Sequence, residues 1–129
     1  MRIALYTAVA ALILAAVPAF AEEARVQQVR VAELDIDPAQ VEAYRAALRE
    51  EIETSIRVEP GVLSLYAVYE RDNPTRVRLL EIYADADAYE AHIASPHFQK
   101  YKTGTQDMVR SLRLTETVPI LLGAKPGAR

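Results

Sequence analysis

Cysteine and tryptophan are both absent from this sequence of 129 residues. Without cysteine the protein has no disulfide bond, thiol nucleophile, thiolate metal ligand or iron–sulfur cluster. Its four glycines are scattered among turns, so there is no glycine-rich loop that binds phosphate. Acidic and basic residues are interspersed, and the formal net charge is −3. We therefore expect neither nucleic acid nor an anionic membrane as a partner.

The beginning of the sequence has the three-part pattern of a secretory signal peptide over residues 1–21. Arg2 supplies the positive start, an apolar run over residues 3–17 follows, and Ala19 and Ala21 occupy the positions that a signal peptidase reads. The apolar run is shorter than the about 20 residues that a membrane-spanning helix needs. We expect cleavage after Ala21, a periplasmic or secreted protein, and no contact with the membrane after cleavage.

The chain after Ala21 has the length of a single domain with one modest core. We expect this domain over residues 22–122 and a flexible tail over residues 123–129. Its hydrophobic periodicity predicts alternating strands and helices. In order, these are a strand over 25–36, a helix started by Asp37-Pro38 and ended by Glu59-Pro60-Gly61, strands over 62–70 and 76–83, a short helix capped by Asp85, a helix over 96–112 and a strand over 112–120.

This β-α-β-β-α-β order predicts an α+β, ferredoxin-like fold with a four-stranded antiparallel sheet. One layer of helices covers only one face of such a sheet. The second strand is nevertheless apolar on both sides, with Leu65 and Tyr69 on one side and Tyr66 and Val68 on the other. We therefore expect a homodimer in which two sheets pack face to face.

A polar cluster interrupts the apolar second half of the domain. Glu81 and Tyr83 share one face of their strand by period-two alternation, and the helix after Asp85 can bring His92 back over the strand end. Two interpretations remain open. Glu81 and His92 form a buried structural pair, or His97, beside the helix break, reaches a cavity and acts as a base.

The same residues do not predict a metal site. His92 and His97 are five residues apart with Pro96 between them, which is poor geometry for two ligands on one helix face. A weak site completed by Glu81 is the alternative. A Ser-His-Asp triad is not predicted either, because no nucleophile turn is recognisable.

Four short segments follow one another at a distinctive spacing: EPGVL at residues 59–63, LEIY at 80–83, AYEAH at 88–92 and SPHF at 95–98. Together they resemble the antibiotic biosynthesis monooxygenase domain family, above all its small quinol-monooxygenase-like branch, over about residues 29–118. The resemblance implies a dimeric ferredoxin-like fold, a dimeric α/β barrel, with a pocket for a hydrophobic, often aromatic molecule. Some members oxidise phenols or quinols with molecular oxygen and no bound metal, flavin or haem.

Departures from the family pattern disfavour three of its branches. Haem-degrading relatives have a haem-binding histidine where this chain has Lys102, and they and some polyketide monooxygenases have tryptophan in place of Tyr83. Those relatives also have an asparagine in the first strand, whereas the asparagine of this chain, Asn73, is in a turn. An isomerase branch that acts on a phosphorylated sugar is compatible with His92 and His97. The export signal and the missing basic cluster disfavour it.

Two functions follow from these observations. The first is a cofactor-independent monooxygenase in which His97, or His92 held by Glu81, removes a phenolic proton. The residues expected to bind the aromatic substrate are Tyr66, Tyr83, Tyr101 and Phe98. The alternative is a dimer that binds a hydrophobic ligand, or serves in a stress response, without turnover. Histidines held in structural hydrogen bonds would favour binding, and a free histidine nitrogen facing a tyrosine hydroxyl would favour chemistry.

Overall fold

Three helices cover one face of a four-stranded sheet in the part of the chain that the structure describes. The structure is a computed structural model, and it describes residues 26–128. The predicted signal peptide and its cleavage site lie outside the described residues. Within them, no helix has the length and apolar character that crossing a membrane requires.

The observed elements follow the predicted order. The strands are β1 (Gln28–Ile36), β2 (Val62–Tyr69), β3 (Arg76–Tyr83) and β4 (Val109–Thr117), and the helices are α1 (Val41–Val58), α2 (Ala86–Ala94) and α3 (Pro96–Thr105). The Asp37 carboxylate accepts the N–H of Ala39 at 2.9 Å in a short 3₁₀ turn before α1. The Asp85 carboxylate accepts the N–H of Ala88 at 2.8 Å at the start of α2. Both predicted N-caps are confirmed.

The strands lie in the order β2-β3-β1-β4, and each neighbouring pair is antiparallel. This arrangement confirms the α+β, ferredoxin-like fold. Ala32 of β1 lies opposite Leu79 of β3 and Leu114 of β4, so these three side chains point to the same face of the sheet.

The main core lies between that face and α1. Its buried members are Ala32, Leu34 and Ile36 of β1, Val77 and Leu79 of β3, and Tyr44 and Leu48 of α1. Tyr44 and Leu48 are four residues apart, so both lie on the same side of the helix. Each large apolar side chain buried here contributes about 1.5–3 kcal/mol, which fixes α1 across the sheet.

The predicted boundary between the last helix and the last strand is wrong. The helix was expected to reach residue 112, but α3 ends at Thr105 and β4 begins at Val109. A turn in which the Met108 N–H donates to the Thr105 carbonyl at 2.9 Å separates them. Residues 109–117 pair with the free edge of β1, and this pairing satisfies backbone groups that a longer helix would have left exposed at the sheet edge.

The face of the sheet opposite the helices is partly open in this chain. Tyr66 and Val68 of β2 lie there with 50% and 64% of their surface exposed. The predicted second copy of the chain would cover these side chains, and the homodimer stays a prediction.

We expect Gly61→Ala to destabilise the fold. A Cβ at this position would lie 2.5 Å from the Cβ of Ala88, so α2 would have to shift away from the turn after α1. Overpacking of this kind costs about 1–3 kcal/mol, which urea unfolding will measure. Gly104→Ala is the matched control, since no atom of residues 26–128 lies within 4 Å of a Cβ built there and helix propensity favours alanine. Equal unfolding midpoints for the two variants would contradict the close contact.

Candidate active site

A cavity of about 190 Å³ lies between the helices and the sheet. Five of the predicted site residues line it, namely Glu81, Tyr83, His92, Phe98 and Tyr101. Much of the remaining lining is aliphatic and comes from β1, β3, β4 and α1. In such surroundings a charge or a lone hydroxyl is poorly solvated, so its interactions are stronger than in water.

Glu81 brings a carboxyl group into this apolar cavity. It lies opposite Arg30 in the register of β3 with β1, but the Arg30 guanidinium donates to Glu116 at 2.6 Å. Burial raises the pKa of Glu81 to about 7, and the nearby charge of Glu51 adds to the rise. The positive charge of Arg30 lowers the pKa of Glu81, but by less than burial and Glu51 raise it. Glu81 therefore changes its protonation state near neutral pH.

Tyr83 is fully buried beside Glu81 on the same face of β3. Within residues 26–128 its hydroxyl has no hydrogen-bond partner. Its ring packs edge-on against Tyr89 and tilted against His92, with centroid distances of 5.2 Å in both cases. Burial raises the pKa of Tyr83, so the hydroxyl stays protonated and can donate to a ligand.

A second tyrosine in the cavity has a partner. The hydroxyls of Tyr101 on α3 and Tyr44 on α1 are 2.7 Å apart. Burial raises the pKa of both groups, so each hydroxyl keeps its proton. Since one of the two donates to the other, one proton of the pair remains available to a further acceptor.

The two histidines meet at a carboxylate that the sequence analysis did not select. Oε2 of Glu59 lies 2.9 Å from Nδ1 of His92 and 2.8 Å from Nε2 of His97. Burial raises the pKa of Glu59, but the hydrogen bonds from the two rings outweigh it and leave the pKa below its usual value. Glu59 is therefore the charged centre of this corner.

Ser95 sets the angle between α2 and α3 that lets both histidines contact Glu59. Ser95 ends α2 and begins α3, and its hydroxyl accepts the N–H of Phe98 at 3.3 Å. Pro96 follows at the first position of α3, where its missing N–H has no cost. The change in direction at Ser95 turns His92 and His97 toward the same side, although they lie on different helices.

Glu51 is the second carboxylate that the sequence analysis missed. It is buried on α1 with 5% of its surface exposed, and its Oε1 accepts the Ser55 hydroxyl at 2.7 Å. The same oxygen lies 3.5 Å from Nε2 of His92. Burial raises the pKa of Glu51. The sequence did carry a signal for this position, because Tyr44, Leu48, Glu51 and Ser55 follow one another at the three- and four-residue spacing of a buried helix face.

Several sequence-based expectations about the site are wrong. His92 pairs with Glu59 and not with Glu81, because Glu81 lies within the sheet whereas Glu59 ends α1 next to both histidines. His97 does line a cavity, as expected, but this is a separate one of about 160 Å³ between α1 and α3 and not the 190 Å³ cavity that holds the other predicted residues. Besides Glu59, the carboxylate that lies near both histidines is Glu51 and not Glu81, since Glu51, His92 and His97 have ligand atoms within 4.8 Å of one another.

Tyr66 is also misplaced by the sequence analysis. It does not line the cavity and lies on the face of the sheet opposite Tyr83. The predicted alternation itself is observed, with Leu65 and Tyr69 on the side that faces the helices and Tyr66 and Val68 on the other. Alternation alone does not tell which of the two sides faces the helices.

The cavity opens beside the edge strand β4. Lys102 and Gln106 near the end of α3 are exposed and line it, and so do Leu112 and Leu114. Leu112 and Leu114 keep 58% and 43% of their surface exposed, although they lie on the helix-covered face of the sheet. β4 is the edge strand opposite β2, and Glu59 directly precedes β2 in the chain.

Comparison with known proteins identifies the family. The antibiotic biosynthesis monooxygenase family model matches residues 28–104. A crystal structure from Bacteroides thetaiotaomicron, proposed to be an antibiotic biosynthesis monooxygenase, is 54% identical, with a TM-score of 0.75 over 79% of this chain and 97% of that one. The chain therefore belongs to the antibiotic biosynthesis monooxygenase family, as its four segments indicated.

More distant structures share the fold. A proposed monooxygenase from Lactobacillus acidophilus is 29% identical, with a TM-score of 0.71 over 73% of this chain and 45% of that one. A structure from Nitrosomonas europaea is 24% identical, with a TM-score of 0.69 over 73% of this chain and 90% of that one. No curated protein matches the chain.

We expect the stability of the protein to depend on pH through Glu81. Its pKa is about 7 in the folded state against an ordinary 4.5, so the folded state binds the proton more tightly. This contribution is complete below about pH 4.5 and is lost as the pH rises through 7. Between pH 5 and pH 8 the wild type should lose about 2–3 kcal/mol of unfolding free energy relative to Glu81→Gln, measured by urea titration. Parallel pH profiles for the two proteins would contradict the raised pKa.

Proposed function

We propose that this protein is a monooxygenase that oxidises a quinol-like or phenolic molecule with molecular oxygen and without a bound cofactor. The observation that supports this most is the position of Glu81, whose pKa is about 7, in an apolar cavity beside the Tyr83 hydroxyl, which has no hydrogen-bond partner in the described part of the chain. A base works best when its pKa lies near the pH of the reaction. The ionised carboxylate accepts the phenolic proton, and the resulting phenolate passes an electron to oxygen far more readily than the phenol does. The two radicals then combine and the O–O bond breaks. One oxygen atom forms a new C–O bond on the ring and the other leaves as water, so a quinol becomes a hydroxyquinone with all electrons supplied by the substrate.

The geometry favours Glu81 over the histidines as this base. His97 lies outside the cavity, and the two ring nitrogens of His92 both lie near carboxylates, those of Glu59 and Glu51. Glu81 reaches the cavity from the sheet and is not tied up in an ion pair with its neighbour Arg30, because Arg30 pairs with Glu116. The proposed role of His92 is to form part of the cavity wall.

The size and lining of the cavity support a substrate with one substituted aromatic ring. An apolar cavity of about 150 Å³ is large enough for benzene, and this one measures about 190 Å³. The rings of Phe98 and Tyr101, with centroids 6.1 Å apart, form an aromatic wall on α3. Tyr83 donates to a substrate oxygen, while Glu81 accepts from a hydroxyl. The protein thus orients the ring, removes one proton and excludes water.

A second candidate function is the binding of a hydrophobic ligand without turnover. The specific observation in its favour is that Glu59 holds both histidines in hydrogen bonds, and within residues 26–128 neither ring is hydrogen-bonded to a tyrosine hydroxyl. Glu81 and Tyr83 would then only anchor the polar group of the ligand.

Oxygen consumption with hydroquinone as the probe tests the first function against the second. We expect the purified protein to consume oxygen without added cofactor, with a rate that rises as the pH passes through 7 and Glu81 ionises. Glu81→Gln removes the proton acceptor and should lower kcat by about 10²-fold or more. The matched control is Glu90→Gln on the exposed side of α2. A ligand that binds without oxygen consumption would support the second function, and full kcat in Glu81→Gln would contradict the proposed base.

We further propose that the protein is exported and acts as a homodimer through the open face of the sheet. Val68→Glu places a charge on that face, where 64% of the Val68 surface is exposed in the single chain. We expect this variant to be monomeric in light scattering after size-exclusion chromatography, because an unpaired charge is costly in an apolar interface. Ala46→Glu on the exposed side of α1 is the control and should remain dimeric. A monomeric wild type would overturn the proposal.

A further inference from the structure

Three side chains from three helices converge beside the cavity. Glu51 of α1, His92 of α2 and His97 of α3 each offer one ligand atom, and these atoms all lie within 4.8 Å of one another. Glu51 and His92 are buried, with 5% and 2% of their surface exposed. We infer that these three residues form a binding site for one divalent transition-metal ion such as Zn²⁺.

The hydrogen bonds from His92 and His97 to Glu59 orient both imidazole rings for metal binding. A neutral imidazole that donates through one nitrogen carries a lone pair on the other. His92 donates through Nδ1 to Glu59, so its Nε2 has the lone pair, and that nitrogen faces Oε1 of Glu51. Nε2 of His97 lies 2.8 Å from the same carboxylate oxygen, so in the neutral ring that donates there the lone pair is on Nδ1. Metal-binding histidines are held in this way by a carboxylate behind the ring.

The distance between His92 and Glu51 also suits a shared ion. Nε2 and Oε1 are 3.5 Å apart, which is longer than an N–H···O hydrogen bond of about 2.7–3.2 Å. Two ligands of a tetrahedral zinc ion, each bonded at about 2.0–2.1 Å, lie roughly 3.4 Å from each other. These two atoms therefore need almost no movement to bind one ion. The partly exposed His97, at the start of α3, supplies the remaining adjustment.

The ligand types narrow the choice of ion. Two imidazoles and one carboxylate suit zinc and similar transition metals, whereas calcium and magnesium prefer oxygen ligands alone. Three protein ligands leave a fourth position for water or a bound molecule. Because Glu51 and His92 also line the 190 Å³ cavity, that fourth ligand can come from the cavity. The site goes beyond the proposed oxygenase reaction, in which Glu81 acts and a metal is not required.

Metal titration of the full chain tests the site. The protein is purified without a histidine tag, stripped with a chelator and titrated with Zn²⁺ against a chromophoric competitor. We expect one ion per chain and a higher melting temperature with Zn²⁺. With Co²⁺ we expect the intense visible absorption of a four-coordinate complex. Glu51→Gln and His97→Gln should each weaken the affinity at least tenfold, and Glu59→Gln about 10–100-fold through the loss of orientation.

The controls separate this site from the proposed reaction. Glu81→Gln changes a carboxyl group of the same cavity that is not a ligand, and it should bind Zn²⁺ with wild-type affinity while losing turnover. Circular dichroism of the stripped variants establishes that they fold. If Glu51→Gln does not fold, the zinc affinity of His97→Gln, the least buried of these changes, still tests the site. Absence of a bound equivalent in the wild type, or affinity unchanged by both Glu51→Gln and His97→Gln, would overturn the inference.

Discussion

The shared carboxylate oxygen of Glu59 is the interaction on which the rest of the site depends. It joins the end of α1 to both α2 and α3, because it accepts from His92 and His97 together. It thereby fixes the ring of His92, which packs 5.0 Å from Phe98 and 5.2 Å from Tyr83 between ring centroids. This one carboxylate oxygen therefore fixes the position of His92 and, through it, the packing of the Phe98 and Tyr83 rings that line the cavity.

The chemistry of the site comes from three glutamates in different surroundings. Glu59 has two hydrogen-bond donors, which outweigh its burial and lower its pKa. For Glu51 and Glu81 burial dominates, and their pKa values are raised. The same side chain is therefore a fixed negative charge at one position and a group poised to exchange a proton at another. The helices are needed for this arrangement, because Glu51 lies on α1 and Glu59 at its end, whereas the sheet supplies only Glu81 of the three.

Local sequence patterns predicted the order of the elements, the caps at Asp37 and Asp85, and the common face of Glu81 and Tyr83. These features depend on residues close together in the chain. The partner of the histidines was not predictable in this way. On a continuous helix, His92 and His97 would point about 140° apart, and only the change of direction at Ser95 brings them to one carboxylate. The alternation of Tyr66 and Val68 with Leu65 and Tyr69 was predictable, but the side of β2 that faces the helices was not, because both sides of this strand are apolar.

The position of the cavity mouth separates ligand exchange from the stability of the fold. Leu112 and Leu114 border the opening on the edge strand β4, whereas Glu59 does not line the cavity and directly precedes β2 at the other edge of the sheet. A molecule can thus enter and leave past side chains of an edge strand while the buried hydrogen bonds of the three helices stay intact. For a ligand of the proposed kind, residence time would then depend on contacts at the mouth, and substitutions there would change it without weakening the core.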